Sequence, residues 1–309
     1  MIVVVMLTLG CARPDPAGPG LDESESPGLV TPDLLTAEEP TLPSIGAGVG
    51  FSCYVSSAGE LSCWGDPPEG MPSGAGWIGT EGGRWRACAM DELRGLECWG
   101  LTSEGRFAAP EGSWHSVAAD GHYCALAFDG SLTCWGSDLW GQSSPTSGQW
   151  LAVDTGERTT CAVAADDGHL ECWGDDFSGQ LLVPEDDVFI DVSMGYSHGC
   201  ALTQDGGLRC WGVGWFDDAW PSGPPKGPFT SVHTAEWATC ALGVDGVAEC
   251  WDGWGAAWRD RGPAYEPPDV PLTEIALGGW HACGLTEAGD VWCWGESGGA
   301  ELPPDDLPP

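Results

Sequence analysis

The sequence predicts an all-β repeat protein in which seven small antiparallel sheets stack as a propeller or solenoid. Three observations carry this expectation. In "CALAFDGSLTCWG", residues 124–136, two cysteines flank an Asp-Gly turn with Trp directly after the second, and such a cysteine pair with its trailing Trp recurs seven times along the chain. First cysteines advance by 35, 36, 37, 39, 40 and 43 positions, a spacing typical of such repeat architectures. The 48 glycines and 25 prolines, with the Asp-Gly punctuation, leave no window for the paired amphipathic helices of a helical repeat.

The hairpin is the unit of the repeat. Its cysteines are Cys53/Cys63, Cys88/Cys98, Cys124/Cys134, Cys161/Cys172, Cys200/Cys210, Cys240/Cys250 and Cys283/Cys293. A three-residue loop of Phe128, Asp129 and Gly130, a type I turn closed by a left-handed glycine, sets Cys124 opposite Cys134. Opposed residues of an antiparallel pair lie roughly 4.5 to 5.5 Å apart at Cα, within reach of a disulfide. Seven cross-strand bridges are therefore expected. The fourth copy, "CAVAADDGHLEC", keeps the opposition with a four-residue loop, Ala165 to Gly168. The second, "CAMDELRGLEC", has Arg94 where the glycine belongs, and a different turn is expected there. The pairs lack the clustered four-ligand spacing of zinc sites, and no metal is assigned.

Period-two patterning makes both hairpin faces apolar. Beside the bridge stand Val55, Met90, Leu126, Val163, Leu202, Leu242 and Leu285, with Leu61, Leu96, Leu132, Leu170, Leu208, Ala248 and Val291 on the partner strand. Directly after the second cysteines come Trp64, Trp99, Trp135, Trp173, Trp211, Trp251 and Trp294, which alternation turns to the other face. A sheet apolar on both sides needs cover on both, and a ring supplies it from the two neighbours. Each tryptophan is thus expected against the disulfide face of an adjacent sheet.

A further strand precedes each hairpin: "LPSI" from Leu42, "WIGT", "WHSV", "WLAV", "FIDV", "FTSV", and "LTEI" from Leu272. The closing "SGGAELPPDD" runs in phase with "SGQLLVPEDD", which leads into such a strand at Phe189. If these strands pair within the preceding sheet, "LPSI" would complete the last one and close the ring.

"GYSHGCALTQDGGLRCWG" and "GHYCALAFDGSLTCWGSDLWGQ" resemble the repeats of the regulator of chromosome condensation family in its bacterial, extracytoplasmic, cysteine-paired form. The resemblance spans residues 42–309 and implies a seven-bladed β-propeller. It implies less about function, because that fold hosts a GTPase exchange factor, a secreted β-lactamase inhibitor and other surface proteins. The exchange-factor role is not expected, since no insertion resembles its projecting wedge.

The opening residues bear on location. "MIVVVMLTLGC", residues 1–11, is similar to a lipoprotein signal in which Cys11 is lipidated; an ordinary secretion signal and an incidental cysteine are the alternatives. Residues 12–41 read as a disordered acidic linker. Seven cysteine pairs independently favour an oxidising compartment. Ten Lys plus Arg against a net charge of -37 leave no basic footprint for nucleic acid, and the only membrane association expected is through the lipid.

Catalytic chemistry is sparse. "GYSHG" and "GESGG" match a nucleophile-elbow pattern, but that device needs a strand, a sharp turn and a helix. His122, His198 and His281 share one repeat position and read as structural histidines. No cofactor is assigned. The expected site is a binding one: the loops after the fifth and sixth hairpins carry Trp215, Phe216, Trp220, Trp254, Trp258, Arg259, Arg261 and Tyr265, aromatic and arginine side chains suited to a protein or carbohydrate partner. The function expected is an extracytoplasmic, lipid-anchored binding scaffold; an extracytoplasmic hydrolase or lyase and a structural envelope component are the alternatives.

Overall fold

The computed structural model describes residues 43–100, 108–212, 224–236, 238–252, 266–295, 303–304 and 307. Cys11, the signal and the acidic linker lie outside them. Seven three-stranded antiparallel sheets, or blades, follow in chain order. Blade 1 is β1 (Ser44–Gly48), β2 (Phe51–Val55) and β3 (Leu61–Gly65), and blade 2 is β4 (Trp77–Gly82), β5 (Arg86–Asp91) and β6 (Leu96–Gly100). Blade 3 is β7 (Trp114–Ala119), β8 (Tyr123–Ala127) and β9 (Leu132–Trp135), and blade 4 is β10 (Trp150–Thr155), β11 (Thr159–Ala164) and β12 (Leu170–Gly174). Blade 5 is β13 (Phe189–Met194), β14 (His198–Thr203) and β15 (Leu208–Gly212), and blade 6 is β16 (Phe229–Thr234), β17 (Ala238–Gly243) and β18 (Ala248–Asp252). Blade 7 is β19 (Glu274–Leu277), β20 (His281–Leu285) and β21 (Val291–Gly295). The first strands of successive blades contact one another around the ring, β1 meeting β19, and so surround the axis.

All seven cysteine pairs are bridged, with Cα atoms 4.0 to 4.1 Å apart. Each opposition is in the expected register, Cys124 facing Cys134 and, across the longer fourth loop, Cys161 facing Cys172. Every bridge shares a hydrophobic cluster with a tryptophan of the next blade. Trp99 lies with Cys53 and Cys63, Trp135 with Cys88 and Cys98, and Trp173 with Cys134. Trp211 lies with Cys161 and Cys172, Trp251 with Cys200 and Cys210, and Trp294 with Cys240 and Cys250. Trp64 of blade 1 completes the circle against Cys283 and Cys293 of blade 7.

The middle strand makes room for the indole. Opposite the tryptophans stand small residues such as Ser52, Ala87, Thr160, Gly199 and Ala282. A Cβ on Gly199 would sit 2.5 Å from Met194 Sδ and 2.6 Å from the Trp211 ring, so in this blade a larger residue would have to displace both. Blade 3 differs: Tyr123 faces Trp135 and stacks on it at 5.1 Å.

The hairpin turns also join neighbouring blades. Carbonyls of Gly59, Gly130, Gly168, Gly206 and Gly246 accept the amides of Trp77, Trp150, Phe189, Phe229 and Leu272, each near the start of the next blade. The second turn corrects the expectation of a different loop. Arg94 adopts φ 65°, donates its amide to the Asp91 carbonyl as Gly130 does to Ala127, and offers its carbonyl to Trp114. The junction between blades holds the turn in one form, and Arg94 takes the left-handed conformation in place of glycine.

Closure is also corrected. β1 pairs with β2 of its own blade, not with blade 7. Each first strand lies one short turn from its hairpin, so local pairing wins over a strand exchanged with the preceding sheet. Side chains close the seam instead. Glu274 accepts Ser44 Oγ and the Ile45 amide, both at 3.3 Å, Ser52 Oγ bonds His281 Nε2 at 2.7 Å, and Leu307 packs on the Trp64 cluster.

Removing one interlocking ring tests this packing. Trp211→Ala should destabilise the protein by about 3 to 5 kcal/mol, the cost of deleting a buried indole, seen as a lower urea midpoint with the disulfides intact.

Candidate functional site

The first strand of each blade runs toward one end of the ring and turns there into the second; the third strand finishes at the same end. The turns between first and second strands and the connections leaving the third strands therefore share one end face. The predicted aromatic cluster, Trp215, Phe216, Trp220, Trp254, Trp258, Arg259, Arg261 and Tyr265, falls on two of these connections but lies outside the described residues.

At the centre of this face Arg84, from the β4–β5 turn, reaches across the ring. Its Nη1 lies 3.1 Å from Glu157 Oε2 of blade 4 and its Nε 2.9 Å from Glu236 Oε1 beside blade 6, while the guanidinium sits 5.5 Å from the Tyr196 ring centroid of blade 5. A side chain from blade 2 can meet all three only near the axis. Behind it the first strands place Asp154, Asp191, Glu274 and His233 inside the ring. Burial pushes each of the three carboxyls up to about 7 and His233 down to about 3. Asp154 accepts Ser193 Oγ and the Met194 amide of the next blade, and Glu274 spans the seam, so these two acids act as clamps between blades.

The three repeat histidines lie between blades, not in the channel. His122 bonds Thr160, His198 bonds Thr239 and His281 bonds Ser52, each a hydroxyl of the following blade. These are His–hydroxyl pairs, but every member is buried where no substrate reaches it. Burial holds His122 at about 3 and His198 at about 4, so both stay neutral. Their contribution to stability is present above the ordinary histidine value and is lost as pH falls through and below it. Among the described residues, Asp166, Asp167 and His169 could bring three ligand atoms together, yet Asp167 is already engaged with the His169 ring and amide in an exposed hairpin turn.

The connections after blades 3 and 4 carry a feature missed in the sequence. In "SDLWGQ" (137–142) and "DDFSGQ" (175–180), glutamines Gln142 and Gln180 are buried and make the same knot. Gln142 Oε1 accepts the Trp140 amide at 2.9 Å and Gln180 Oε1 the Ser178 amide at 2.7 Å. Trp173 and Trp211, the interlocking tryptophans, donate Nε1–H to the carbonyls of Gln142 and Gln180. Asp138 and Asp176 accept the amides of Ser143 and Leu181 across the base. At the matching tips Leu139 is 85% exposed and Phe177 92%, with Trp140 at 52%. Arg158 joins the two loops, 5.7 Å from the Trp140 ring centroid and 3.8 Å from Asp175. The available signal was Trp140 itself, a tryptophan outside both repeat positions. In sequence, Trp215 follows Gly212 by the three positions that separate Leu139 from Gly136 and Phe177 from Gly174.

Comparison with protein families matches residues 189–214 and 272–298 to the regulator of chromosome condensation (RCC1) repeat. Among solved structures, the ectodomain of the receptor kinase CR4 from Physcomitrella patens is similar at 26% identity and TM-score 0.68, covering 82% of this chain and 73% of that one. The CRINKLY WD40 ectodomain of the Arabidopsis thaliana receptor kinase ACR4 matches at 23% identity and TM-score 0.69, covering 84% and 96%. Prp20p from Saccharomyces cerevisiae, described with its binding properties to Gsp1p and histones, matches at 16% identity and TM-score 0.60, covering 76% and 80%. The last two likenesses show the fold. No curated protein matches the sequence.

These half-buried carboxyls give a pH signature. A carboxyl raised in the fold costs stability that grows as pH rises from its unfolded value near 4 to its folded value of about 7. Asp191→Asn should therefore raise the melting temperature relative to the parent at pH 8 and lose that advantage near pH 4.

Proposed function

We propose that this chain, a disulfide-pinned propeller of regulator of chromosome condensation repeats, is an extracytoplasmic scaffold that binds a protein partner through the end face carrying its blade connections. The observation that carries this reading is the exposure of Leu139, Trp140 and Phe177, with Trp85 and Trp280, at that one end. Exposed apolar groups cost little to desolvate, and held on rigid loops they lose little entropy on binding, the two properties of an interface anchor.

The compartment rests on separate support. Seven disulfides suit an oxidising environment, and the CR4 structure it resembles is an ectodomain. Lipidation at Cys11 would tether the propeller through residues 12–41, leaving the end face free to engage a partner. Trp215, Trp220, Trp254 and Trp258 follow the third strands of blades 5 and 6 in sequence, as Leu139 and Phe177 follow those of blades 3 and 4, and would extend the surface.

Photo-crosslinking in intact cells tests the assignment. A crosslinking residue at Trp85 or Trp280 should yield a discrete protein adduct, whereas one at Trp292, exposed on the outer strand β21, should not. An adduct from Trp292 alone would move the site to the outer edge, and none from any position would overturn the binding reading.

A further inference from the structure

We propose that the twin knobs of blades 3 and 4 dock a cationic protein segment carrying an apolar anchor, which sits over Arg158 between Leu139, Trp140 and Phe177. This deepens the binding reading above and rests on it.

Duplication is the first argument. Two neighbouring connections adopt the same hydrogen-bonded knot and present an apolar side chain at the same tip position, Leu139 in one and Phe177 in the other. A loop required only to cover a blade edge would turn these side chains inward. Gln142 and Gln180 are spent inside the knots, so the tips are fixed outward before any partner arrives. Arg158 makes the knobs one surface: it packs on Trp140, pairs with Asp175, and Asp175 in turn accepts the Phe177 amide at 3.1 Å.

Charge selects the partner. Asp138, Asp175 and Asp176 border the apolar tips, and Arg158, the cation among them, is already paired with Asp175. The whole chain carries -37, so a second copy would bring further negative charge to an acidic patch and be repelled. Nucleic acid is excluded on the same ground. A polysaccharide would use flat rings as a stacking platform, but Arg158 already lies over the Trp140 ring and Leu139 has no ring, which leaves Phe177 alone to stack. A segment with lysine or arginine flanking a large apolar residue satisfies both the acids and the tips, the former accelerating encounter and the latter slowing escape.

The test uses three synthetic decapeptides and fluorescence anisotropy at 50 and 300 mM salt. The first is Lys-Lys-Leu-Trp-Lys-Lys-Leu-Phe-Lys-Lys; the second replaces its lysines with glutamate; the third keeps the lysines and replaces its apolar residues with serine. The expected result is binding of the first peptide only, weakened at least tenfold by Leu139→Ser/Trp140→Ser/Phe177→Ser. Asp138→Asn/Asp176→Asn should flatten the salt dependence, and an unchanged unfolding transition should show both variants to be folded. Equal binding of the first and third peptides, or an unaffected triple-serine variant, would reduce the attraction to generic acidity and overturn the proposal. Mapping a Trp140 crosslink to an acidic or uncharged partner segment would overturn it too, while leaving the scaffold reading intact.

Discussion

The structure depends on one contact made seven times, the indole of each blade laid on the disulfide of the blade before it. A small three-stranded sheet cannot bury two apolar faces alone. The bridge fixes a dense, flat patch at the centre of the hairpin, contributing roughly 2 to 3 kcal/mol through loop entropy, and the following tryptophan covers it. The arrangement is directional, so it can terminate only by returning to its start. Trp64 on Cys283 and Cys293 is that return.

Much of this was legible because hairpin geometry is local. Cysteines ten or eleven positions apart, a glycine-bearing turn between them and strict alternation determine which residues oppose and which face each takes, and these sufficed for all seven bridges and the tryptophan contacts. What escaped were features decided between blades. Arg94 reads as a broken turn, yet the amide of Trp114 waiting for its carbonyl holds the turn in its common form. The in-phase ends of the repeat suggested strand exchange, whereas local pairing assigned β1 to its own hairpin. Half-buried acids such as Asp154 and Glu274 are unremarkable in a chain with 47 carboxylates until the ring turns them inward as acceptors for the next blade.

The candidate site divides in the same way. The aromatic residues from Trp215 to Tyr265 stand out because their loops are long, while the short connections bearing Leu139 and Phe177 offer no signal beyond Trp140, the one tryptophan there outside the repeat positions. Their significance comes from Gln142 and Gln180, which knot the loops, and from Trp173 and Trp211, which bond to the knots while covering the preceding bridges. The residues that build the core thus also hold the binding tips in place, linking the stability of the ring to the geometry of its end face.

The ring is closed by this contact and not by a shared strand. Hydrogen exchange on Trp64→Ala, followed by mass spectrometry with all disulfides intact, tests it most directly. Protection should fall in peptides spanning Ser44–Val55 and His281–Leu285, the two sides of the seam, while Thr159–Ala164 in blade 4 stays as protected as in the parent. Equal loss of protection in all blades, or none at the seam, would contradict it.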